Sequence, residues 1–342
     1  MEESVKDRRG KWRILIFFLC IGAVSVGCAR LEKEDGKKSV RIGVSLYRGD
    51  DTFINNIRGE LENCAKDYEQ KQGVKVTLDI QDAKGNQNTQ NNQVERFISL
   101  GCDVMCINPV DRTAASVIID KAMTAGIPLV FFNRQPVEED MNRWDQLYYV
   151  GAAAKESAVL QGSILVEQYK KDPGSLDING DGVISYVLLE GESSHQDSLI
   201  RTEWSIQTLK DGGVPIEKIT GGIANWERSQ ASALMEQWLE QYPDTIELVI
   251  CNNDDMALGA IDALERAGDG GANLVGIDAT IPGLEAVRSG KLLGTVSADK
   301  ERYAGAIFSL ASAKALGEEI DPDISLEGGK YYWCPQVAVT EN

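Results

Sequence analysis

Residues 247–260 read ELVICNNDDMALGA, and the order of side chains in this stretch decides the fold class. An apolar run at 248–251 is followed immediately by four polar residues at 252–255. From residue 40 onward, short apolar runs of this kind alternate with amphipathic helical patterns such as TAASVIIDKAMTAG at 113–126. Such alternation is typical of parallel sheets covered by helices on both faces. The sequence therefore predicts an α/β protein.

The apolar runs predict where the strands lie. We expect strands at residues 40–47, 74–80, 104–108, 128–133, 147–151, 184–190, 217–223, 248–252, 273–277, 292–296 and 330–339. At roughly 100–200 residues per domain, the length of the chain predicts two domains.

Polar residues follow five of these predicted strands, at 48–51, Asn108, Asn133, 252–255 and Asp278. Ligands of open α/β sheets bind outside the carboxyl ends of the strands, and Asp and Asn side chains suit hydroxyl groups. For any one of these residues, capping of the following helix is the alternative. Because the sequence lacks a phosphate-binding glycine motif, a neutral polyol is favoured over a phosphorylated ligand.

The charge balance limits the possible partners. The chain has 53 acidic and 35 basic residues, which give a net charge of −18. A nucleic-acid-binding protein needs a basic face, so we expect no nucleic-acid partner. A single His excludes zinc sites built from several imidazoles.

The N-terminus has the pattern of a lipoprotein signal peptide. Five basic residues within 1–13 precede an apolar run at 14–26, which is too short to span a bilayer. Small residues then lead into Cys28, as in a bacterial lipobox. We expect residues 1–27 to be removed, Cys28 to be lipidated and residues 28–39 to form a tether. Ordinary cleavage that leaves Cys28 as a free thiol is the alternative.

Cleavage would leave a net charge of −20 and, besides Cys28, five cysteines. An odd number excludes a complete disulfide framework. Cys102 and Cys106 could be read as a metal pair, but the sequence offers no matching second pair. We expect buried thiols.

Residues 177–185 match the first half of an EF-hand calcium loop. The expected oxygen ligands are the side chains of Asp177, Asn179 and Asp181, the carbonyl of Val183, and Ser185 or a water. Position twelve is Leu188 instead of Glu, so a bidentate carboxylate must come from elsewhere. A loop of Asx turns without metal is the alternative.

Several stretches together resemble one family: RIGVSLYRGDDTF (41–53), DINGDGVISYVLLEGE (177–192), HQDSLIRT (195–202) and VGIDATIPGLEAVRSGKLLGTVSAD (275–299). They look like the periplasmic galactose/glucose-binding proteins, the type I solute-binding proteins of sugar ABC transporters. The resemblance runs from about residue 40 to about 340, and the embedded calcium loop separates this group from ribose- and arabinose-binding relatives.

The resemblance implies two similar doubly wound parallel-sheet lobes joined by a three-segment hinge, near 128–132, 296–299 and 333–336. We expect the N-terminal lobe to comprise 40–129 and 299–333, and the C-terminal lobe 130–298 and 334–342. It also implies a monomer that closes on its ligand and is then recognised by an ABC permease.

The family's functional positions map onto this sequence residue by residue. The implied sugar contacts are Asp51, Phe53, Asn108, His195, Asp197, Arg201, Trp226, Asn253 and Asp278. Phe53 and Trp226 would sandwich the apolar faces of a pyranose. Glu247 matches the missing calcium carboxylate. Two positions depart from the family: Ala298 replaces an Asn that contacts the sugar, and Ser185 replaces the usual Gln.

We therefore expect a non-enzymatic, extracytoplasmic lipoprotein that delivers D-galactose or D-glucose to an ABC importer, with calcium bound and a lipid anchor in the membrane. A sugar-sensing co-receptor is the main alternative. A glycosidase using Asp51 and Asp278 is disfavoured by the aromatic clamp and Arg201. A LacI-like regulator is disfavoured because a signal segment replaces the DNA-binding helices.

Overall fold

The computed structural model describes residues 39–268 and 271–341. The predicted signal peptide, the lipidation site Cys28 and nearly all of the predicted tether lie outside these residues. Within the described part, the helices are all too short or too polar to cross a membrane.

Strands and helices alternate along the described chain as the sequence predicts. The strands are β1 (Ser39–Leu46), β2 (Lys75–Asp82), β3 (Val104–Ile107), β4 (Leu129–Phe132), β5 (Leu147–Ala152), β6 (Ile184–Glu190), β7 (Ile216–Ile223), β8 (Leu248–Cys251), β9 (Asn273–Val275), β10 (Gly294–Ala298), β11 (Tyr331–Cys334) and β12 (Gln336–Thr340). The helices are α1 (Thr52–Gln72), α2 (Gln87–Ser99), α3 (Ala115–Ala125), α4 (Glu138–Met141), α5 (Ala154–Lys171), α6 (Gln196–Asp211), α7 (Arg228–Gln241), α8 (Asp254–Ala267), α9 (Ile281–Arg288) and α10 (Lys300–Leu316).

The described strands form two six-stranded sheets, one in each lobe. The first has the order β11-β5-β4-β3-β1-β2 and the second the order β12-β10-β9-β8-β6-β7. All pairings are parallel except that of β12 with β10. The prediction of two doubly wound α/β lobes is confirmed.

Both faces of each sheet are buried, which explains why the strands read as continuous apolar runs. In β4, Val130 and Phe132 pack with α1 and α10, whereas Leu129 and Phe131 pack with α2 and α3 on the opposite face. Each such side chain contributes roughly 1.5–3 kcal/mol when it leaves water. The helices are thereby held on both faces, and the loops after the strands are left to form a site.

The structure corrects the predicted boundary between the lobes. Residues 130–152 were assigned to the second lobe, but β4 and β5 pair side by side in the first sheet, with Leu129 opposite Leu147 and Phe132 opposite Val150. The first crossing therefore follows β5, between Ala152 and α5, and not near 128–132. The apolar pattern marks both strands, but it carries no information on which sheet each one joins.

The other two crossings lie between β10 and α10 and between β11 and β12. The single strand predicted at 330–339 is two strands, because Pro335 separates β11 in the first sheet from β12 in the second. Proline has no backbone N–H to donate to a ladder, so a break at this position costs little.

The cysteines in the described part are all free thiols. Cys102, Cys106, Cys251 and Cys334 are buried and Cys64 is partly buried. Burial raises the pKa of the Cys102 thiol to about 11, so this group stays protonated at neutral pH.

Candidate functional site

A cavity lies between the lobes at the carboxyl ends of the strands. Loops from both lobes supply its wall, which comprises Tyr47, Asp51, Phe53, Asn133, Arg134, His195, Asp197, Arg201, Trp226, Asn253 and Asp278. Eight of the nine predicted sugar contacts are in this set. The structure therefore brings together residues that are far apart in the sequence.

Asn108 is the predicted contact that does not line the cavity. It is fully buried behind the wall, where its Nδ2 donates to Oδ1 of Asn133 at 3.1 Å and its Oδ1 accepts from the backbone N–H of Tyr47 at 3.3 Å. Asn133 takes the wall position instead. Asn108 thus holds two wall residues in place.

Three wall residues also cap the helices that begin at the cavity. Asp51 Oδ1 accepts from Ile54 N–H at the start of α1, and Asn253 Oδ1 accepts from Met256 N–H at the start of α8. His195 caps α6 in the same way. One side chain can therefore both cap a helix and line the cavity, because each of these helices directs its positive N-terminal end toward the cavity.

The protonation of His195 is set by this cap. Its Nδ1 accepts from the backbone N–H of Asp197 at 3.1 Å. Burial, reinforced by the positive charges of Arg134 and Arg201, holds the pKa of the imidazole well below its usual range. A neutral ring that accepts at Nδ1 carries its proton on Nε2. His195 therefore has one N–H available for a ligand.

Two largely buried carboxylates flank a guanidinium. Arg201 Nη1 lies 3.5 Å from Oδ1 of Asp278, and its Nη2 lies 3.9 Å from Oδ2 of Asp197. Burial raises the pKa of both carboxyl groups, and the charge of Arg201 opposes this shift. The guanidinium therefore offsets part of the cost of holding two acids inside the protein.

In the described residues, three buried side-chain nitrogens have no hydrogen-bond partner: Arg134 Nε, Arg201 Nε and Trp226 Nε1. All three belong to side chains that line the cavity. A buried donor without an acceptor costs about 1–3 kcal/mol. Their clustering at one cavity indicates a site for a ligand with several acceptor oxygens.

Backbone strain is also concentrated here. Asn133, Trp226 and Asp278 line the cavity with φ values of 62°, 67° and 114°. Non-glycine residues rarely adopt positive φ, and such strain is found mostly where a binding site requires a particular side-chain direction.

Sequence reasoning missed Tyr47 and Arg134 as wall residues. The phenol of Tyr47 donates to Oδ2 of Asp51 at 2.5 Å, and the guanidinium of Arg134 stacks over the Tyr47 ring at 3.7 Å from its centroid. Arg134 directly follows Asn133 after β4, so the rule that polar residues at strand ends form sites would have included it. Tyr47 lies inside a predicted strand and gave no comparable signal.

A second cavity adjoins the first at the hinge. The two share Phe53, Asp197 and Asp278 among their wall residues. The second adds residues from all three crossings, Ala152, Ala298 and Gln336. The small side chain of Ala298, a position at which the family resemblance implies Asn, therefore leaves space beside the main cavity.

Side chains from the two lobes meet directly across the cleft. Arg134 of the first lobe forms two hydrogen bonds to Glu192 of the second, at 2.7 and 2.9 Å. Arg48 pairs with Glu227 at 2.6 Å, and Arg112 donates to Gln196 at 2.8 Å. The lobes are thus held together around the cavity.

The loop predicted to bind calcium forms a series of Asx turns in the structure. Asp177 accepts from the N–H groups of Gly180 and Gly182, Asn179 from that of Asp181, and Asp181 from that of Val183. Throughout residues 39–268 and 271–341, no three or more Asp, Glu, His or Cys side chains are gathered closely enough to hold a metal ion.

Glu247, the residue directly before β8, nevertheless extends its side chain to this loop. Its Oε1 accepts from Asn179 N–H at 3.0 Å and its Oε2 from Ser185 N–H at 2.8 Å. It is only 3% exposed. Among the ion pairs of the described residues, none involves Glu247.

Two α/β lobes, three crossing segments and a polar cavity between them define the type I periplasmic binding protein class. The profile of the periplasmic binding protein domain matches residues 42–319, and the chain belongs to this family.

The relatives share most of their length with this chain. The D-galactose/methyl-galactoside binding periplasmic protein MglB of Haemophilus influenzae is 37% identical over 279 residues, which cover 81% of this chain and 82% of that protein. A putative rhizopine-binding protein of Rhizobium meliloti is 33% identical over 286 residues, which cover 83% of this chain and 87% of that protein. The crystal structure of an ABC transporter solute binding protein from Bacillus halodurans with bound myo-inositol has a TM-score of 0.72 and 31% identity, and covers 90% of this chain and 96% of its own.

Proposed function

We propose that this protein is an extracytoplasmic receptor that captures a hexose of the D-galactose/D-glucose type and delivers it to an ABC importer. The observation that carries the proposal is the cluster of three unpartnered buried donors beside two largely buried carboxylates in one interlobe cavity. A sugar ring suits this cluster because every hydroxyl both donates and accepts.

Different wall residues contact different parts of the sugar ring. Asp197 and Asp278 accept from hydroxyls, whereas Arg134, Arg201 and the Nε2–H of His195 donate to hydroxyl oxygens. Phe53 and Trp226 cover the apolar faces of the ring. A site built in this way rejects analogues that lack a hydroxyl, because its own buried groups would be left unpaired.

The names of the relatives support a polyol. D-galactose and myo-inositol, which appear in the descriptions of two of them, are both six-membered rings that carry several hydroxyl groups. These two rings differ, so the choice of a hexose over an inositol is a separate part of the proposal. We infer no chemical step: Asp51, one of the two acids that a glycosidase would need, is engaged by Ile54 N–H and the Tyr47 hydroxyl.

Calorimetric titration of the purified protein with D-galactose, D-glucose, myo-inositol and D-ribose tests the ligand. We expect galactose or glucose to bind most tightly, and Trp226→Ala to abolish that binding. An absence of heat with every hexose would contradict the proposal. Uptake of the labelled sugar by cells with and without the protein then separates delivery to an importer from sensing alone.

We also propose that the loop at 177–185 binds calcium. Its donors are all oxygens, which is the set that calcium prefers: Asp177, Asn179, Asp181, the Val183 carbonyl, Ser185 and Glu247. The support is the buried Glu247 carboxylate, which faces the loop with no cationic partner among the described residues. Because each carboxylate oxygen has two lone pairs, an oxygen that accepts an N–H can still coordinate a metal. Calcium would supply the missing positive charge and join the loop to β8.

We propose in addition that Cys28 carries the lipid that anchors the protein outside the cytoplasm, as its signal pattern predicts. Metabolic labelling with a radioactive fatty acid is expected to mark the wild type but not Cys28→Ala. Labelling of both proteins to the same extent would contradict this assignment.

A further inference from the structure

Arg134 and Glu192 form the most enclosed ion pair across the cleft. Arg134 follows β4 in the first lobe and Glu192 follows β6 in the second. Two parallel hydrogen bonds join them, Nη1 to Oε2 at 2.9 Å and Nη2 to Oε1 at 2.7 Å. The side chain of Arg134 is only 6% exposed and that of Glu192 is 24% exposed. A bidentate, largely desolvated pair of this kind has a defined geometry and is sensitive to small displacements.

The first lobe holds the same guanidinium in place without help from Glu192. Nη1 also donates to the carbonyl of Val110 at 3.0 Å, and the guanidinium plane stacks on the ring of Tyr47. Val110 and Tyr47 both belong to the first lobe. Arg134 is therefore held by the first lobe, and Glu192 is its partner from the second lobe.

The remaining nitrogen of Arg134, Nε, is not bonded by the described residues of either lobe. Nε is buried and has no hydrogen-bond partner in the described residues, and the side chain lines the cavity wall. One planar group on the cavity wall thus has one unpartnered N–H and two nitrogens bonded to the opposite lobe.

We propose that Arg134 couples occupancy of the cavity to closure of the lobes. Its Nε donates to a ring hydroxyl oxygen, while its Nη groups hold Glu192. The coupling rests on the proposed function, because it requires a ligand with an acceptor at this position. Closure without a ligand buries an unpaired donor, whereas closure on a ligand satisfies every donor of the group. Sugar therefore favours the closed state by differential contacts.

A second ion pair across the same cleft provides a matched control. Arg48 and Glu227 also join the two lobes, at 2.6 Å, but through one hydrogen bond and with side chains 22% and 31% exposed. Arg48 does not line the sugar cavity. Loss of this pair removes an interlobe bond without changing any group that faces the ligand.

The test compares Glu192→Gln with Glu227→Gln, using D-galactose and D-glucose as probes. Glu192→Gln leaves Arg134 in place and removes only its charged partner. We expect it to weaken sugar affinity about tenfold, mainly through faster dissociation measured by stopped-flow fluorescence. We also expect saturating sugar to decrease the radius of gyration of Glu192→Gln less than that of the wild type, as measured by small-angle X-ray scattering. Glu227→Gln is expected to change affinity less than about threefold, because one hydrogen bond between more exposed side chains contributes less than a bidentate, more enclosed pair.

Arg134→Lys provides a second measurement. It keeps the positive charge but loses both the two Nη groups that bind Glu192 and the Nε–H. It should weaken affinity more than Glu192→Gln, while melting temperatures show that each variant is folded. If the wild type binds hexose but Glu192→Gln and Glu227→Gln release it at equal rates, the coupling alone is overturned. A wild type that binds neither sugar would instead overturn the proposed function.

Discussion

Gly191 and Trp226 are packed so closely that a Cβ atom at position 191 would lie 2.1 Å from Cζ2 of the indole. The glycine directly after β6 therefore allows the indole to approach the backbone closely. The Trp226 ring system also meets His195 edge to face, with ring centroids 5.2 Å apart. The direction of the proposed aromatic clamp thus depends on a residue that contacts no ligand.

Gly191→Ala is expected to displace the Trp226 indole and to weaken hexose affinity at least about tenfold, because off-rotamer shifts in a packed site cost about 1–3 kcal/mol. Calorimetry measures the effect. Gly59→Ala in α1 is the control, since a Cβ atom there would meet no atom within 4 Å. That variant should bind normally. An affinity for Gly191→Ala equal to that of the control would show that the close contact does not position the ring.

The stability of the second lobe should depend on the protonation of Asp254. This residue is fully buried at the start of α8, where Thr280 N–H and the Thr295 hydroxyl donate to its carboxyl oxygens. Burial raises the pKa of Asp254 to about 7. The native state thus binds more protons than the unfolded chain between about pH 4 and pH 7, so the free energy of unfolding falls as the pH rises through that range.

Asp254→Asn should remove this part of the pH dependence and stabilise the protein at pH 8 by up to about 4 kcal/mol. Urea unfolding at pH 5 and pH 8 measures it. The wild type should lose stability relative to the variant as the pH is raised. Parallel curves for the two proteins would show that the Asp254 carboxyl does not change its charge in this range.

Calcium is expected to stabilise the second lobe through Glu247. Removal of metal with EGTA should lower the melting temperature of the wild type, and added calcium should restore it. Glu247→Gln should abolish the response, because it removes the buried negative charge that faces the loop. Asp172→Asn, five residues before the loop, serves as the control and should respond like the wild type. A wild-type melting temperature that ignores both chelator and calcium would exclude the metal site.

Ala298 is expected to set the choice among related rings. Ala298→Asn would fill part of the hinge cavity and offer both a donor and an acceptor to the ligand. We expect D-galactose or D-glucose to bind about tenfold more tightly, as for one added hydrogen bond to a buried partner. Ring-substituted sugars such as methyl-galactosides should bind more weakly. Ser297→Asn, which adds the same group outside both cavities, should leave the ratio of affinities unchanged. Unaltered ratios in both variants would remove Ala298 from the selectivity of the site.

Much of the site could be predicted because its residues follow apolar strands directly. Asp51, Asn253 and Asp278 were found by this rule and by family resemblance, and all three line the cavity. Asn108 obeys the same rule but is buried behind Asn133. A side chain one position past a strand can point into the wall or along it, and the neighbouring loop, which is distant in sequence, decides which.

The sequence by itself determined the α/β alternation, the helix caps, the Asx turns of the loop at 177–185 and the polar character of the strand ends. These features depend on interactions between residues within a few positions of each other. Only the tertiary structure decided that residues 130–152 join the first sheet, that Pro335 divides one apolar run between two lobes, and that Arg134 meets Glu192 from the opposite lobe. The physical reason is that these pairings form only after the chain has crossed the hinge and returned, and their energy depends on burial, which no local pattern encodes.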